Sequence, residues 1–120
     1  MTNEPIIYLC FEGEDRIKTL DMMKHFINNA AIAHSDLIIF SPVHAFSYMY
    51  ARLPYDVQLR YRLAVLDICD CIITYGSNSM SDMCLDEIKY AKEHKIRVWD
   101  MKKECRLPDS EELRIRSDVA

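Results

Sequence analysis

The sequence predicts a single α/β domain of the Rossmann-like or flavodoxin-like kind, with a parallel sheet of four to five strands and helices on both faces. Short apolar runs alternate with helix-length segments four times along the chain, which is typical of strands joined by crossover helices. The length of 120 residues suits one domain. Hydrophobic residues make up 50% of the chain and charged residues 28%, a balance that is ordinary for a globular protein.

Four short apolar runs, bounded by polar residues, glycine or proline, are typical of buried strands. They cover residues 6–10, 37–40, 71–75 and 96–99. Ligands bind parallel sheets in the crevice outside the carboxyl ends of the strands. We therefore expect functional residues directly after the first three strands and early in the helix that follows the third.

Three longer segments carry apolar residues at helical spacing. They cover residues 15–33, 55–68 and 82–94. Pro54 is suited to introduce the second helix, and Ser81 or Asp82 to cap the third. The positions expected to face the sheet are Leu59, Leu63 and Leu66 on the second helix, and Leu85, Ile88, Ala91 and Lys95 on the third.

Residues 1–101 are assigned to the α/β domain, and residues 102–120 to a charged C-terminal tail. The run Pro108-Asp109-Ser110-Glu111 is suited to begin a short helix with Ser110 as its cap. A partly ordered surface tail is the simpler expectation for a terminal segment of this composition.

Composition excludes several classes of function. A net charge of −4 gives no basic footprint for nucleic acid. No apolar run reaches the length of about 20 residues that a membrane span needs, and the N-terminus lacks the basic and apolar regions of a signal peptide. We therefore expect a cytoplasmic protein. The five cysteines have no paired spacing, so we expect reduced thiols and no metal site. No cofactor is expected.

The strongest local signal is the start of the third helix. Ser77, Ser79 and Ser81 precede a first turn whose free N–H groups suit a phosphate or another anion. Simple capping needs only one of these serines, so both interpretations stay open. Glu87 lies about one and a half turns further on, where a carboxylate can act as nucleophile or general base. The alternative is a solvated helical acid, and its neighbour Asp86 must point elsewhere.

Other side chains near the strand ends allow two interpretations each. Tyr8 lies inside the first strand and is either a catalytic partner or a core tyrosine. His44 follows the second strand and is either a general acid or ligand contact, or a polar surface residue. Arg60 and Arg62 precede the third strand and are either phosphate ligands or solvated charges.

Four stretches together resemble one known family. They are Ile6-Ile7-Tyr8-Leu9, then Ser41-Pro42 with His44 and Phe46, then residues 66–70 leading into Cys71-Ile72-Ile73, and finally Ser81 through Glu87-Ile88-Lys89-Tyr90-Ala91. Over roughly residues 5–100 the chain resembles the nucleoside 2-deoxyribosyltransferase superfamily, including its small phage and bacterial members. The most specific element is the serine placed six residues before the glutamate, followed by Tyr-Ala.

The resemblance implies an enzyme that cleaves the N-glycosidic bond of a nucleoside or nucleotide, by hydrolysis or by deoxyribosyl transfer. Glu87 would attack the sugar C1 carbon in a double displacement, and Tyr8 would orient its carboxylate. Ser81 would contact a 5′-hydroxyl or phosphate, while His44 and Phe46 would lie near the base. Ser79, Arg62 and Phe11 complete the candidate substrate-binding residues.

The chain departs from the family pattern at three places. Met83 stands where members usually have glycine, and Arg62 stands in register with an aspartate that handles the proton of the departing base. An arginine there favours a carboxylate or phosphate ligand. Phe11-Glu12-Gly13 replaces the usual small turn after the first strand. A nucleotide-binding domain that senses or sequesters its ligand without catalysis is therefore the alternative.

Two other classes fit the strand ends less well. A phospho-receiver needs an acceptor aspartate after the third strand, where this chain has Tyr75-Gly76. A flavodoxin-like electron carrier needs a hydroxyl-rich loop where this chain has Phe11-Glu12-Gly13-Glu14. The expected partner is a nucleoside or nucleotide. The resemblance also implies a homodimer or higher homo-oligomer, because small members of the family form dimers, and the tyrosine-rich segment 44–55 suits an interface. The alternative for this segment is a loop folded over its own pocket.

Overall fold

A computed structural model of the chain describes residues 4–10, 16–33, 36–45, 53–74 and 81–113. The strands are β1 (Ile6–Leu9), β2 (Ile38–Phe40), β3 (Cys71–Thr74) and β4 (Arg97–Asp100). The helices are α1 (Arg16–Ala33), α2 (Pro42–Ala45), α3 (Tyr55–Leu66), α4 (Asp82–Glu93) and α5 (Met101–Glu104). The predicted strands and the three long helices are all present, and the two four-residue helices α2 and α5 are additional.

The four strands form one sheet in the order β2-β1-β3-β4, and every pairing is parallel. This confirms the predicted α/β class. The chain leaves β1 toward β2 on one side and leaves β3 toward β4 on the other. The crevice between the carboxyl ends of β1 and β3 is therefore the point where the strand order reverses, which is where such sheets bind ligands.

The pleat of β1 separates its side chains between the two faces of the sheet. Ile7 and Leu9 belong to one hydrophobic cluster, whereas Tyr8 and Cys10 belong to the other. The backbone N–H of Cys10 donates to the carbonyl of Ile73 at 2.8 Å, so the ladder between β1 and β3 extends to Cys10. This bond holds Cys10 at the end of the sheet, on the same face as Tyr8.

Helices cover both faces of the sheet, as predicted. On one face, Phe26, Ile27 and Ala30 of α1 pack against β-strand side chains. On the other face, Leu66 of α3 and Ala91 of α4 do so. No helix in the described part of the chain is long and apolar enough to cross a bilayer.

The face of α4 that meets the sheet differs from the predicted one. Leu85 is 48% exposed and Lys95 is exposed beyond the end of the helix, whereas Ala91 is buried as expected. The buried side chains are Met83, Cys84, Glu87 and Ala91. Ile88 packs against the core as predicted. The prediction was wrong for Leu85 and Lys95, and it did not assign the charged residue Glu87 to the inner face of this helix.

The inner face of α3 is also partly polar. Leu66 is buried as predicted, whereas Leu59 and Leu63 are only half-buried. The other buried residues of this helix are Gln58 and Arg62. Gln58, Arg62 and Leu66 follow one another at intervals of four residues, so all three lie on one face of the helix. The Gln58 side-chain amide donates to the carbonyl of Leu53 at 2.8 Å, which satisfies this group.

Residues 101–113 pack against the domain, and this corrects the surface-tail expectation for that stretch. Leu107 and Leu113 are buried in the α1-side cluster with Trp99. The Trp99 indole N–H donates to the carbonyl of Arg106 at 2.7 Å, which fixes the returning chain against β4. The sequence alone does not predict this packing, because two leucines among many charged residues do not form an apolar period.

The short helical turn expected near Ser110 is present over residues 110–113, but Asp109 caps it. The N–H of Glu112 donates to Asp109 Oδ1 at 2.9 Å, and the N–H of Asp109 donates to Glu112 Oε1 at 3.2 Å. This reciprocal pair is a capping box with aspartate in the first position. The Ser110 hydroxyl instead bonds the Asp36 carboxylate, which ties the turn to the start of β2.

Candidate functional site

Ser81 sets the start of α4 and therefore the position of its inner face. Its hydroxyl oxygen accepts a hydrogen bond from the N–H of Cys84 at 3.2 Å, which satisfies one of the orphan donors of the first turn. Cys84 and Glu87 are three residues apart and share the buried face of the helix. The capping interpretation of Ser81 is thus confirmed, and the cap directs Cys84 and Glu87 toward β1.

Glu87 forms a buried ion pair with Arg62 of α3. The Arg62 Nη1 donates to the Glu87 Oε1 at 3.3 Å, and the side chains are 1% and 0% exposed. A buried carboxylate is very costly unless a cation and hydrogen bonds compensate it. Arg62 supplies that compensation from the neighbouring helix, so neither residue is the solvated surface charge that the sequence left as an alternative.

Tyr8 joins this pair from β1. Its side chain is fully buried, and its ring stacks on Phe40 of the adjacent strand with centroids 5.7 Å apart. Burial, and then the Glu87 carboxylate, raise the pKa of the Tyr8 phenol far above its ordinary range, against a smaller lowering by Arg62. Tyr8 therefore stays protonated across the neutral range beside Glu87.

Two cysteines complete the buried cluster, and the sequence-based reasoning missed both. The Cys10 Sγ, the Cys84 Sγ and a Glu87 carboxylate oxygen all lie within 4.8 Å of one another. The Cys10 thiol also lies 3.7 Å from the carbonyl oxygen of Cys84. Two sequence signals could have identified these cysteines. The period-two pattern of β1 assigns Cys10 to the face of Tyr8, and the three-residue spacing on α4 assigns Cys84 to the face of Glu87.

Asp86 points away from the cluster, as expected for the neighbour of Glu87. Its carboxylate accepts a hydrogen bond from the Tyr55 hydroxyl at the start of α3. Burial and this bond raise the pKa of Tyr55. The Tyr55–Asp86 bond joins the exposed edges of the two helices that carry Arg62 and Glu87, and so helps to hold them at a fixed separation.

The other predicted site residues fall into two groups. His44 lies in α2, directly after β2, with its Nδ1 2.8 Å from the Ser41 hydroxyl. Phe11, Phe46 and Ser79 lie outside the described residues. Glu87, Tyr8 and Arg62 are the three predicted residues that the structure brings into one cluster, from β1, α3 and α4.

A shallow groove of about 430 Å³ lies between α3 and α4. Its lining residues are Asp56, Leu59, Arg60, Leu63, Ala64, Asp67 and Tyr90. Tyr8, Arg62 and Glu87 do not belong to this set. The groove is therefore separate from the buried cluster, and we base the candidate function on the cluster because it contains the charged and protonated groups.

Comparisons with protein-family models, with curated proteins and with solved structures found no match for this chain. The function must therefore be argued from the cluster itself.

Proposed function

We propose that the chain is an N-glycosidic bond hydrolase or deoxyribosyltransferase that acts on a nucleoside or nucleotide, with Glu87 as nucleophile. The observation that carries this proposal is the fully buried Glu87 carboxylate at the carboxyl ends of β1 and β3, beside the Tyr8 hydroxyl. A buried carboxylate is not needed for the stability of such a fold, because apolar residues of similar volume stabilise a core at least as well. Its presence at the ligand-binding edge of the sheet supports a chemical role.

The proposed reaction is a double displacement. A Glu87 carboxylate oxygen forms a bond to the sugar C1 carbon while the bond from C1 to the base nitrogen breaks, and the base leaves with the electron pair and takes up a proton from solvent. Water or a second base then attacks C1 and loses a proton to solvent, and the bond from C1 to the Glu87 oxygen breaks, which releases the carboxylate. Tyr8 remains protonated and orients the carboxylate, while Arg62 balances its charge before attack.

The test is release of free base from a panel of 2′-deoxynucleosides and their 5′-monophosphates, measured by chromatography. We expect Glu87→Gln to reduce base release by at least about 100-fold, because the amide lacks the nucleophilic oxygen charge. The matched control is Glu93→Gln, the same change at an exposed position of α4, which should leave turnover unchanged. Circular dichroism establishes that both variants are folded at the assay temperature.

The proposal is wrong if the unaltered protein releases no base from any member of the panel, or if Glu87→Gln and Glu93→Gln turn over equally.

The second candidate is a nucleotide-binding domain without turnover, and the Arg62–Glu87 pair favours it. A guanidinium 3.3 Å from the carboxylate oxygen lowers the nucleophilicity of that oxygen, and it also offers donors to a phosphate. This candidate predicts that a nucleotide raises the melting temperature of the protein while no base appears. A panel of nucleotides that neither stabilises the protein nor loses its base contradicts both candidates.

We also propose a cytoplasmic, self-associating protein. The free cysteines of the described residues, four buried and one exposed, suit a reducing compartment. The aromatic segment 44–55 supports self-association, although most of it lies outside the described residues. Light scattering on the purified protein should give about twice the chain mass of 14.1 kDa or more, and a mass of one chain would contradict this.

A further inference from the structure

Three potential metal ligands meet inside the cluster from distant parts of the chain. The Cys10 Sγ, the Cys84 Sγ and a Glu87 carboxylate oxygen lie within 4.8 Å of one another, and all three residues are buried. We infer that these three side chains form a binding site for a thiophilic divalent cation of the Zn²⁺ type. The site goes beyond the proposed glycosidase function and does not depend on it. Because a bound cation would engage the Glu87 carboxylate, the cation-bound form would not have Glu87 available as a nucleophile.

The backbone holds the three ligands in place before any cation binds. Cys10 is held by the bond of its N–H to Ile73 at the end of the central strand pair. Cys84 and Glu87 lie on the capped first turns of α4. Because the ligands are carried by a sheet end and a regular helix, little conformational entropy remains to be lost when a cation binds.

The distances require only a small contraction. With Zn–S bonds of about 2.3 Å, two sulfurs of a tetrahedral site lie about 3.8 Å apart. A sulfur and a carboxylate oxygen lie about 3.5 Å apart in such a site. The present separations of at most 4.8 Å therefore exceed the bound geometry by at most about 1.3 Å, which rotation about the Cys χ1 and Glu χ angles can supply. Two sulfurs and one carboxylate oxygen are a ligand set suited to Zn²⁺.

Arg62 makes the charge of such a site balance. Two thiolates and one carboxylate carry three negative charges, and a divalent cation with the Arg62 guanidinium supplies three positive ones. The cluster is then neutral overall, as a buried group of charges must be to avoid a large desolvation cost. Arg62 would also hold one Glu87 oxygen from outside the coordination sphere, a common arrangement for carboxylates that bind metals.

Three protein ligands leave a fourth tetrahedral position, as in zinc sites that retain an exchangeable ligand. The Tyr8 hydroxyl, which is buried on the same face of the sheet as Cys10, is the candidate to hydrogen-bond a water there.

The experiment is a titration of tag-free, reduced protein with Co²⁺ as a spectroscopic substitute for Zn²⁺. We expect one equivalent to bind, with a thiolate-to-cobalt charge-transfer absorbance that Zn²⁺ then removes by displacement. Cys10→Ser and Cys84→Ser should each weaken binding by at least about tenfold. The matched controls are Cys69→Ser, a buried cysteine of the same core cluster, and Cys105→Ser, an exposed one, and both should bind like the unaltered protein.

A second measurement needs no variant. Because the cation replaces thiol protons, binding of Zn²⁺ to the unaltered protein should release about two protons per cation in a weakly buffered titration. Absence of the charge-transfer band, release of fewer than one proton, or equal binding by Cys10→Ser and the two controls would overturn the inference. None of these results depends on base release, so the metal site and the proposed glycosidase function can fail separately.

Discussion

Arg62 and Glu87 place opposite charges where neither contacts water. Burying an ion pair costs desolvation energy, and the attraction between the two charges offsets only part of it. A protein with well-packed apolar residues at both positions is therefore often as stable or more stable. Removing one partner is different, because the remaining charge is left buried without compensation. The pair is therefore better explained by chemistry at the cluster than by stability.

This asymmetry predicts the behaviour of single and double variants. Arg62→Met should lower the free energy of unfolding by about 3–5 kcal/mol, because Glu87 loses its cation. The double variant Arg62→Met with Glu87→Met should recover most of that loss. The measurement is urea unfolding followed by circular dichroism.

Arg60→Met is the control for this pair. Arg60 is exposed on the same helix, so its replacement should change the free energy of unfolding by no more than about 0.5 kcal/mol. Equal stabilities of Arg62→Met and Arg60→Met would contradict the buried pair.

The residues of the cluster divide by how they could be predicted. Glu87 was identified from its place early in the helix after the third strand, where a parallel sheet places its ligands, whereas Tyr8 and Arg62 were identified through the family resemblance. The proximity of Tyr8 to Glu87 was expected from the family resemblance, whereas the Arg62–Glu87 ion pair was not, since it depends on the packing of α3 against α4. Cys10 and Cys84 were missed because metal motifs are recognised by short spacings, and these two lie 74 positions apart.

Among the elements, α4 shows most clearly where sequence patterns succeed and fail. Its existence and its cap at Ser81 were predicted from local signals, because capping and helical spacing act over a few residues. Its inner face was predicted correctly at Ile88 and Ala91, whereas Leu85 is outward and Glu87 inward. Apolar periodicity assumes that charge faces water, and this helix breaks that rule at the cluster.

The cap of α4 allows a quantitative test. Ser81→Ala should lower the free energy of unfolding by about 1 kcal/mol, because the N–H of Cys84 loses its side-chain acceptor. Ser81→Asp should retain most of the stability, since its carboxylate accepts the same bond and favours the positive end of the helix. Thermal unfolding without ligand is the measurement, and equal losses in the two variants would show that the hydroxyl does not act as a cap.

At the scale of the whole molecule, the domain does not end with β4. Residues 101–113 return across the α1 side of the sheet and contribute Leu107 and Leu113 to its core. The Arg106–Glu112 pair, with two hydrogen bonds at 2.6 and 3.1 Å, closes this stretch on itself. Such a return was not predictable from periodicity, because the packing partners lie in distant strands.

Removing one of these leucines should therefore act as a core substitution. Leu113→Ala should lower the free energy of unfolding by about 2–5 kcal/mol, because it leaves a cavity under the sheet. Glu111→Ala, on the same helical turn but exposed, should change it by no more than about 0.5 kcal/mol. Urea unfolding measures both, and a Leu113→Ala protein as stable as the control would assign these residues to a loosely attached tail.

Trp99 lies at the junction between the sheet and the returning chain. It is the single tryptophan of the protein. Its indole is buried and donates a hydrogen bond to the Arg106 carbonyl. The guanidinium groups of Arg97 and Arg106 each lie 5.0 Å from its ring centroid. Intrinsic fluorescence excited at the indole therefore originates from this one place. Detachment of residues 101–113 would expose the indole to water and shift its emission to the red, while the far-ultraviolet dichroism of the helices persists. The two signals therefore distinguish local release of the C-terminal segment from global unfolding.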